Sequence, residues 1–450
     1  MKPSQRLYKT RSSGQGMATL AVVMILFFVV AMVAAYTNRN LVFEQRTAAN
    51  SYRSAQALAA ADAGVDWTVA MLNGGIIDSN CQGGAGATND FRSRYLNLLP
   101  SGAFQLSTWA SAAGPVQTPR PSCTMTDTGW ICGCPSSGDT SLPAPSTAEA
   151  PVVFSVKMSA WDAVGVPGAI QLTVKGCTSA LTGDVSAANL NSTLACHMRQ
   201  PTESADVDGQ ARMGTVLGLV SALPVAPVAA VTAGADIVLS GGTTMRASNT
   251  DSATGEVLHA GGAIQKASAT TSFSGPAGSS TSGLEQQGDS ALSSAASSGS
   301  GENLFQSLFG MMRSDYQNQP AALRLTCASA CTASADLIPA LASSPTRIIW
   351  VNGDLNIDQA TAIGSANLPA MVVVNGDVTI SQGAAFTGVI YSHGSINWSN
   401  SAASVSGAVV ARNNFNANSD VNLAYDAKVV RRLQQSYGSF VRVPGSWSVL

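Results

Sequence analysis

Apolar residues form one continuous run close to the N-terminus. Between Met17 and Tyr36 the chain contains no charged side chain. A helix rises about 1.5 Å per residue, so roughly 20 such residues match the ~30 Å hydrocarbon core of a bilayer. The pattern therefore predicts a helix that can span a membrane.

A site of small residues precedes this run. A secretory signal peptide has an apolar segment of about 7 to 15 residues, and its small-residue cleavage site follows that segment. Here the small residues, Gly14 and Gly16, come before the apolar run. Cleavage at this site would remove a leader of residues 1–16 and keep the helix.

Charges on the two sides of the run indicate its orientation. Glu44 is the first acidic residue after it, whereas four basic residues precede it: Lys2, Arg6, Lys9 and Arg11. The positive-inside rule keeps such a leader in the cytoplasm. We therefore expect the rest of the chain to be exported.

Helical character continues beyond the membrane segment. No proline occurs between Thr37 and Leu72, and Gly74 and Gly75 provide a stop signal. A helix from Met17 to about Leu72 would be roughly 80 Å long, which is too long for the bilayer alone. Its second half must pack on a protein domain or on other helices, and its many alanines permit close approach.

Residues 75–224 are predicted to form a small globular region. The segments "VVFSVKMSAW", "AIQLTVKGC" and "ARMGTVLGLV" alternate apolar and polar residues. Such alternation is typical of half-buried antiparallel strands. A long helix followed by a sheet gives an α+β fold class.

Residues 225–450 have a repeating pattern of short apolar runs and polar turns. The turn positions lie 18 to 23 residues apart within two series: Gly242 and Gly262, then Gly353, Gly376, Gly394 and Asn413. This period predicts stacked coils of a parallel β-solenoid, also called a parallel β-helix. The alternative is a meandering sandwich built from similar hairpins.

An insertion at about 268–345 separates the two series of turns. Its first part, from Ser268 to Gly301, is rich in serine and glycine, which predicts a flexible segment. An amphipathic helix is expected around "ENLFQSLFGMMRSDY".

The cysteines form an even set on the exported side of the membrane. They are Cys81, Cys123, Cys132, Cys134, Cys177, Cys196, Cys327 and Cys331. Disulfides persist in such compartments, so structural bridges are expected, although their connectivity does not follow from the sequence. Cys177 with Cys196 and Cys327 with Cys331 are close enough along the chain to be candidates. One residue between Cys132 and Cys134 is not the usual zinc spacing, and no metal site is predicted.

Catalytic patterns are weak. His393 precedes Ser395, but no nucleophile elbow surrounds them, and the other histidines are His197 and His259. Asp354 and Asp377 occupy turn positions, where their side chains have a structural explanation.

The segment "DVDGQ", residues 206–210, resembles the start of a calcium loop but lacks the later glutamate. No catalytic residue and no cofactor is therefore predicted, so the chain is not expected to be an enzyme. The net charge is −2 with no basic run beyond the leader, which argues against a nucleic-acid partner.

The N-terminal motifs resemble those of a known family. "GMATLAVVMILFF", "NRNLVFEQRTAANSYRSAQALAAADAGVDW" and "AMLN" are similar to the N-terminal region of PilX-type minor pilins of type IV pili. A weaker similarity extends from "LFGMM" through "VNGDLNI". The resemblance implies that prepilin peptidase cuts between Gly16 and Met17 and methylates the new amine of Met17.

One position departs from the pattern of major pilins. They carry glutamate at the fifth mature position, where it neutralises the N-terminal amine of a neighbouring subunit, whereas this chain has Ala21. An unpaired buried ammonium costs roughly several kcal/mol. The departure favours a place at the pilus tip; alternatively, this position varies in minor pilins without meaning.

These patterns lead to one main hypothesis. The chain would be a minor pilin that primes pilus assembly near the tip and supports adhesion or twitching motility. Its partners would be prepilin peptidase, other minor pilins and the major pilin through the helix of residues 17–74, with a large tip adhesin as a further candidate. It would lie in the inner membrane with its bulk in the periplasm, and then in the pilus. The alternatives are a K-type pseudopilin of type II secretion and an anchored β-helix protein that binds or cleaves surface polysaccharide.

Overall fold

Helix α1, Gln15–Leu72, dominates the N-terminal part of the chain. The computed structural model describes residues 15–99, 102–108, 119–136, 152–161, 167–179, 207–280 and 283–449. Within these ranges one helix is long and apolar enough to cross a membrane, and it is α1. The helix ends at Leu72, just before Asn73 and two glycines, so the predicted C-terminal bound is confirmed, and it begins two residues before the predicted start at Met17.

A small region follows the helix and begins the globular part. It contains β1 (Ile76–Ile77), β2 (Asn89–Asp90), α2 (Phe91–Tyr95), β3 (Leu96–Leu98) and β4 (Phe104–Leu106). The Asp90 side chain caps α2 by accepting a hydrogen bond from the Ser93 backbone N–H at 2.5 Å. Capping of this kind satisfies a donor that would otherwise lack a partner.

An antiparallel sheet, called here the helix-bearing sheet, lies against α1. Its strands are β5 (Ser122–Thr126), β6 (Gly129–Gly133), β7 (Val152–Ala160), β8 (Ala169–Ser179) and β9 (Val207–Ser221), joined by two C-terminal strands, β29 (Gly438–Arg442) and β30 (Ser448–Val449). The order is β29, β9, β8, β7, β5, β6, with β30 also paired to β9. The three strands expected from alternation are β7, β8 and β9, and their antiparallel pairing is confirmed. The α+β class is likewise confirmed.

The remaining strands form a region called here the stack. They are β10 (Ala229–Ala233), β11 (Ile237–Leu239), β12 (Thr244–Ser248), β13 (Glu256–Ala260), β14 (Ile264–Gln265), β15 (Thr270–Ser274), β16 (Glu285–Gln286), β17 (Ala322–Leu325), β18 (Cys331–Thr332), β19 (Ile348–Val351), β20 (Leu355–Ile357), β21 (Ala362–Ile363), β22 (Ala370–Val374), β23 (Val378–Ile380), β24 (Ala385–Ser392), β25 (Ile396–Trp398), β26 (Ser404–Ala411), β27 (Phe415–Ala417) and β28 (Val421–Ala424).

All pairings recorded between strands of the stack are parallel. Hairpins pair antiparallel, so the alternative of a hairpin sandwich does not describe this part of the chain. Strands that follow one another in the chain, such as β19 and β20, form a unit called here a coil. Each coil contributes strands to two sheets that run side by side.

The order of the coils in space differs from their order in the sequence. From β17 the coils follow one another up to β26, β27 and β28, and the two coils that come first in the sequence lie beyond them. Strand β10 pairs with β26, in a register that aligns Val231 with Val409. The chain therefore returns along the whole stack between β16 and β17.

Helices of the insertion make this return. They are α3 (Ser290–Ser297), α4 (Glu302–Phe309), α5 (Arg313–Tyr316) and α6 (Ile338–Ser343), and α7 (Ala427–Ser436) follows the last coil. The amphipathic helix expected around "ENLFQSLF" is α4, and its Phe305 and Phe309 are buried.

The expectation of a flexible segment from Ser268 to Gly301 is wrong where β15, β16 and α3 form. Asp289 caps α3 by accepting from the backbone N–H groups of Ala291 and Leu292 at 2.9 and 3.2 Å. Composition alone concealed this order, because serine and threonine also suit outward positions of strands.

Two hydrophobic clusters form the core. In the stack, Phe305 contacts the rings of Phe309, Tyr316, Trp350 and Tyr391. The second cluster joins the C-terminal part of α1 to the helix-bearing sheet. Helix α4 thus covers the coils, while α1 covers the sheet.

Candidate assembly helix and its junction

The first part of α1 presents apolar side chains that no other described part of the chain covers. Every large apolar side chain from Leu20 to Tyr36 is exposed, and Phe27 reaches 76%. Such a surface is unfavourable in water because apolar area stays hydrated. This part of the helix therefore requires a bilayer or the helices of other subunits around it.

The second part of α1 packs on strands β7, β8 and β9. Ala57, Ala61 and Val65 are buried completely. Two strand glycines make this approach possible. A Cβ atom on Gly176 would overlap the Ala57 carbonyl oxygen, and one on Gly209 would lie 2.7 Å from the Arg53 carbonyl oxygen. The helix backbone thus rests directly on the sheet backbone.

The C-terminal end of α1 is joined to the last long strand of the chain through Asn73. Its side-chain amide donates to the carbonyl oxygens of Val69 and Phe440 at 2.8 and 2.9 Å. Its amide oxygen accepts from the Phe440 N–H at 2.8 Å. One buried side chain therefore closes the helix and fixes β29 beside it.

Arg92 satisfies further carbonyl groups at the same place. Its guanidinium donates to Leu72 O at 2.9 and 3.2 Å, to Ser436 O at 2.8 Å and to Gly438 O at 2.9 Å. It also lies over the Phe440 ring, 4.8 Å from the centroid. Burial lowers the pKa of Arg92 to about 10, against the opposing effect of Asp90, so it stays charged at neutral pH.

Asp90 and Tyr437 extend this junction to the stack. The Asp90 carboxylate accepts from the Thr346 hydroxyl at 2.7 Å, and the Tyr437 hydroxyl donates to Pro345 O at 3.1 Å. Residues 345 and 346 precede β19. The junction therefore ties together α1, β29 and the first coils in space.

Comparison with known proteins identifies the helix. Residues 15–66 match the PilX N-terminal family. These residues form a PilX N-terminal domain. The match is confined to α1, and an apolar helix of this kind fits a membrane-anchored pilus component.

A solved structure, the competence-associated pilin ComZ from Thermus thermophilus, is similar to the chain at 11% identity. The alignment covers 88% of this chain and 97% of the ComZ chain, with a TM-score of 0.21. No curated protein matches the sequence significantly.

The PilX N-terminal domain contains the two residues of the expected processing site and the fifth mature position. Gly16 and Met17 lie in the first turn of α1, and Ala21 lies exposed on the next turn. Residues 1–14 of the leader lie outside the described part of the chain. Asn73, Arg92, Gly176 and Gly209 were missed, because their partners are distant in the sequence.

The cysteines pair mostly with near neighbours. Bridges join Cys81 to Cys134, Cys123 to Cys132 and Cys327 to Cys331. Cys177 is also in a disulfide, and the suggested pairing with Cys196 lies outside the described residues. Asp336 lies close to Cys327 and Cys331, but a bridged pair offers no thiolate to a metal.

Histidines in the stack contact neighbouring helices. His259 lies between Asp289 at 2.8 Å and Glu256 at 3.2 Å. His393 contacts the Ser300 carbonyl oxygen at 2.9 Å and the Tyr391 hydroxyl at 3.2 Å rather than Ser395. His197 and Asp206 are outside the described ranges. The His393 and Ser395 pair considered from the sequence is thus not brought together as base and nucleophile.

Turn carboxylates link one coil to the next. Asp354 accepts from the Asp377 N–H at 2.8 Å, and Asp377 accepts from the Ser395 N–H at 2.7 Å. A Cβ atom on Gly376 or Gly394 would overlap the carboxylate of the preceding coil. The glycine repeated at these turns therefore leaves room for the aspartate carboxylate of the preceding coil. The period of the sequence showed that the glycine repeats but did not explain why.

We expect Gly176→Val to detach the PilX N-terminal domain from the sheet, because a side chain there must displace the helix backbone. Destabilisation of about 1 to 3 kcal/mol is expected from overpacking of this kind. The measurement is urea unfolding of the full chain in detergent. Gly83→Val, at an exposed site where a Cβ atom would lie 3.5 Å from the Ile76 carbonyl oxygen, is the comparison. Equal midpoints for the two variants would contradict the predicted close packing.

We also expect stability to fall as the pH decreases from about 6.5 to about 4. Burial, assisted by Arg313 and Arg412, lowers the pKa of His393 to about 4, so the unfolded chain binds the proton first over this interval. Denaturant midpoints measured across this range should depend less on pH in His393→Gln. An unchanged slope in that variant would exclude His393 as the source.

Proposed function

We propose that the protein is a structural minor pilin of a type IV pilus that helps to start assembly. One observation carries the proposal: a PilX N-terminal domain whose apolar half is exposed and whose other half is fixed to a folded sheet. A helix of this kind suits both a membrane before assembly and a bundle of subunit helices afterwards.

Processing at the Gly16–Met17 bond forms part of the proposal. The cut would remove the basic leader and leave Met17 as the first residue of α1. Its amine would then enter an apolar environment, where methylation by the peptidase is expected. The rest of the chain would face the periplasm, since the basic residues of the leader favour the cytoplasm.

A position near the pilus tip accounts for two features. Ala21 offers no carboxylate to the amine of a neighbouring subunit, and an unpaired buried ammonium costs roughly several kcal/mol. The chain of 45.8 kDa also carries the stack beside its helix-bearing sheet. A terminal subunit would avoid both the unpaired charge and the crowding of repeated stacks along a shaft.

We propose a structural rather than a catalytic role for the described residues. His259 and His393 contact groups that fasten α3 and the segment before α4 to the stack, while Asp354 and Asp377 join coils. Other minor pilins and the major pilin are the proposed partners through α1, with a tip adhesin as a further candidate. Adhesion and twitching motility would depend on the number of pili assembled.

We expect Gly16→Trp to block processing, because the peptidase must accommodate a small side chain at the cut. Ser12→Leu, also in the leader, should be processed normally. Intact mass and N-terminal sequencing would distinguish a retained leader from a chain that starts at methylated Met17. Processed Gly16→Trp protein in sheared pili would contradict the proposal.

The tip position predicts sparse labelling. Immunogold particles against the stack should be found at fibre ends or at the cell envelope, and deletion of the gene should reduce pilus number. Regular labelling along the shaft would overturn the tip assignment while leaving the pilin assignment intact.

A further inference from the structure

Strand β15 lies at an open edge of the stack. This strand pairs with β12 on one side and ends its sheet. The Thr270 N–H and the Ser274 carbonyl oxygen bond towards β12, to Thr243 and Asn249, at 2.9 Å. Alternate residues of a parallel strand direct both backbone groups to the same side. Thr271 and Phe273 therefore direct four backbone groups away from the stack.

No described residue satisfies these four groups. At the opposite end of the stack, the corresponding groups of Ala322 in β17 are satisfied, since its N–H donates to Gln319 O at 3.0 Å and its carbonyl oxygen accepts from Arg347 at 2.6 Å. Arg324 adds a charge to that edge. Natural sheets block edges by such means, and an unblocked edge is a template for another strand.

We propose that β15 is an interface with a second copy of this chain. Two β15 strands would pair antiparallel about a twofold axis through Ser272. Thr271 of each copy would then lie opposite Phe273 of the other, and all four outward groups would form hydrogen bonds. Strand addition at a sheet edge is an established mode of recognition.

Self-pairing is favoured because the edge is complementary to itself. Its five residues, "TTSFS", contain no charge and no proline. The nearby Lys266 is paired with Glu285 at 2.6 Å, so it brings no net charge. Arg246 lies opposite Ser272 on β12. In the dimer its two copies would be three strand spacings apart, roughly 14 Å, which exceeds the screening length at physiological salt.

The proposed register makes a specific cross-linking prediction. Ser272 would face its own copy in a non-hydrogen-bonded pair, with Cα atoms about 4.5 Å apart, within the range of a disulfide. Thr270 would face Ser274 of the second copy instead, so its two copies would be about 13 Å apart. Both side chains are exposed, so Ser272→Cys and Thr270→Cys are a matched pair.

The full chain in detergent, under mild oxidation, should give a covalent dimer with Ser272→Cys and on the order of tenfold less with Thr270→Cys. Adding Thr271→Pro to Ser272→Cys removes an outward N–H and should reduce the dimer to the Thr270→Cys level. The control combines Ser272→Cys with Asn418→Lys, a change at an exposed site in another coil. It should give as much covalent dimer as Ser272→Cys alone.

Three results would overturn the proposal: no cross-linked dimer with Ser272→Cys, equal yields from the two cysteine variants, or a dimer that persists with Thr271→Pro. A free edge would then be left for an extended segment of another protein. The outcome is independent of the pilus assignment, because none of these variants touches α1 or its processing.

Discussion

The last turn of a helix leaves carbonyl groups that need donors, and in this protein Asn73 and Arg92 supply them. Because α1 ends inside the globular part, its carbonyls cannot rely on water. Asn73 and Arg92 donate to Val69 O and Leu72 O and, with the same side chains, to the backbone of β29. The position of the helix, the course of the C-terminus and the attachment of the stack all follow from this arrangement.

The buried charge of Arg92 is stable there because it is fully engaged. Its donors meet three different carbonyl oxygens, its face meets Phe440, and Asp90 lies nearby. Removing one partner of such a group is strongly destabilising, because it leaves an uncompensated charge buried in the protein. The junction therefore acts as a unit, and its parts are contributed by segments more than 300 residues apart.

Local patterns predicted what depends on local chemistry. The bounds of α1 follow from an apolar run and a glycine stop, and β7, β8 and β9 follow from alternation. The order of the coils could not be predicted, because the pairing of β10 with β26 leaves no trace in either segment. Gly16, Met17 and Ala21 came from a resemblance confined to the helix, whereas the roles of Asn73, Arg92 and Gly176 depend on tertiary contacts alone.

The stack is attached to the rest of the protein by two neighbouring strands. The chain enters it after β9 and leaves it through α7 into β29, and these two strands pair with each other. A body held by a single linker can swivel, whereas one held by two paired tethers resists both rotation and separation. A pull on α1 against the stack would therefore act on both strands together, and the stack could separate only after β9 loses its pairing with β8 and β29 loses its hydrogen bonds to Asn73.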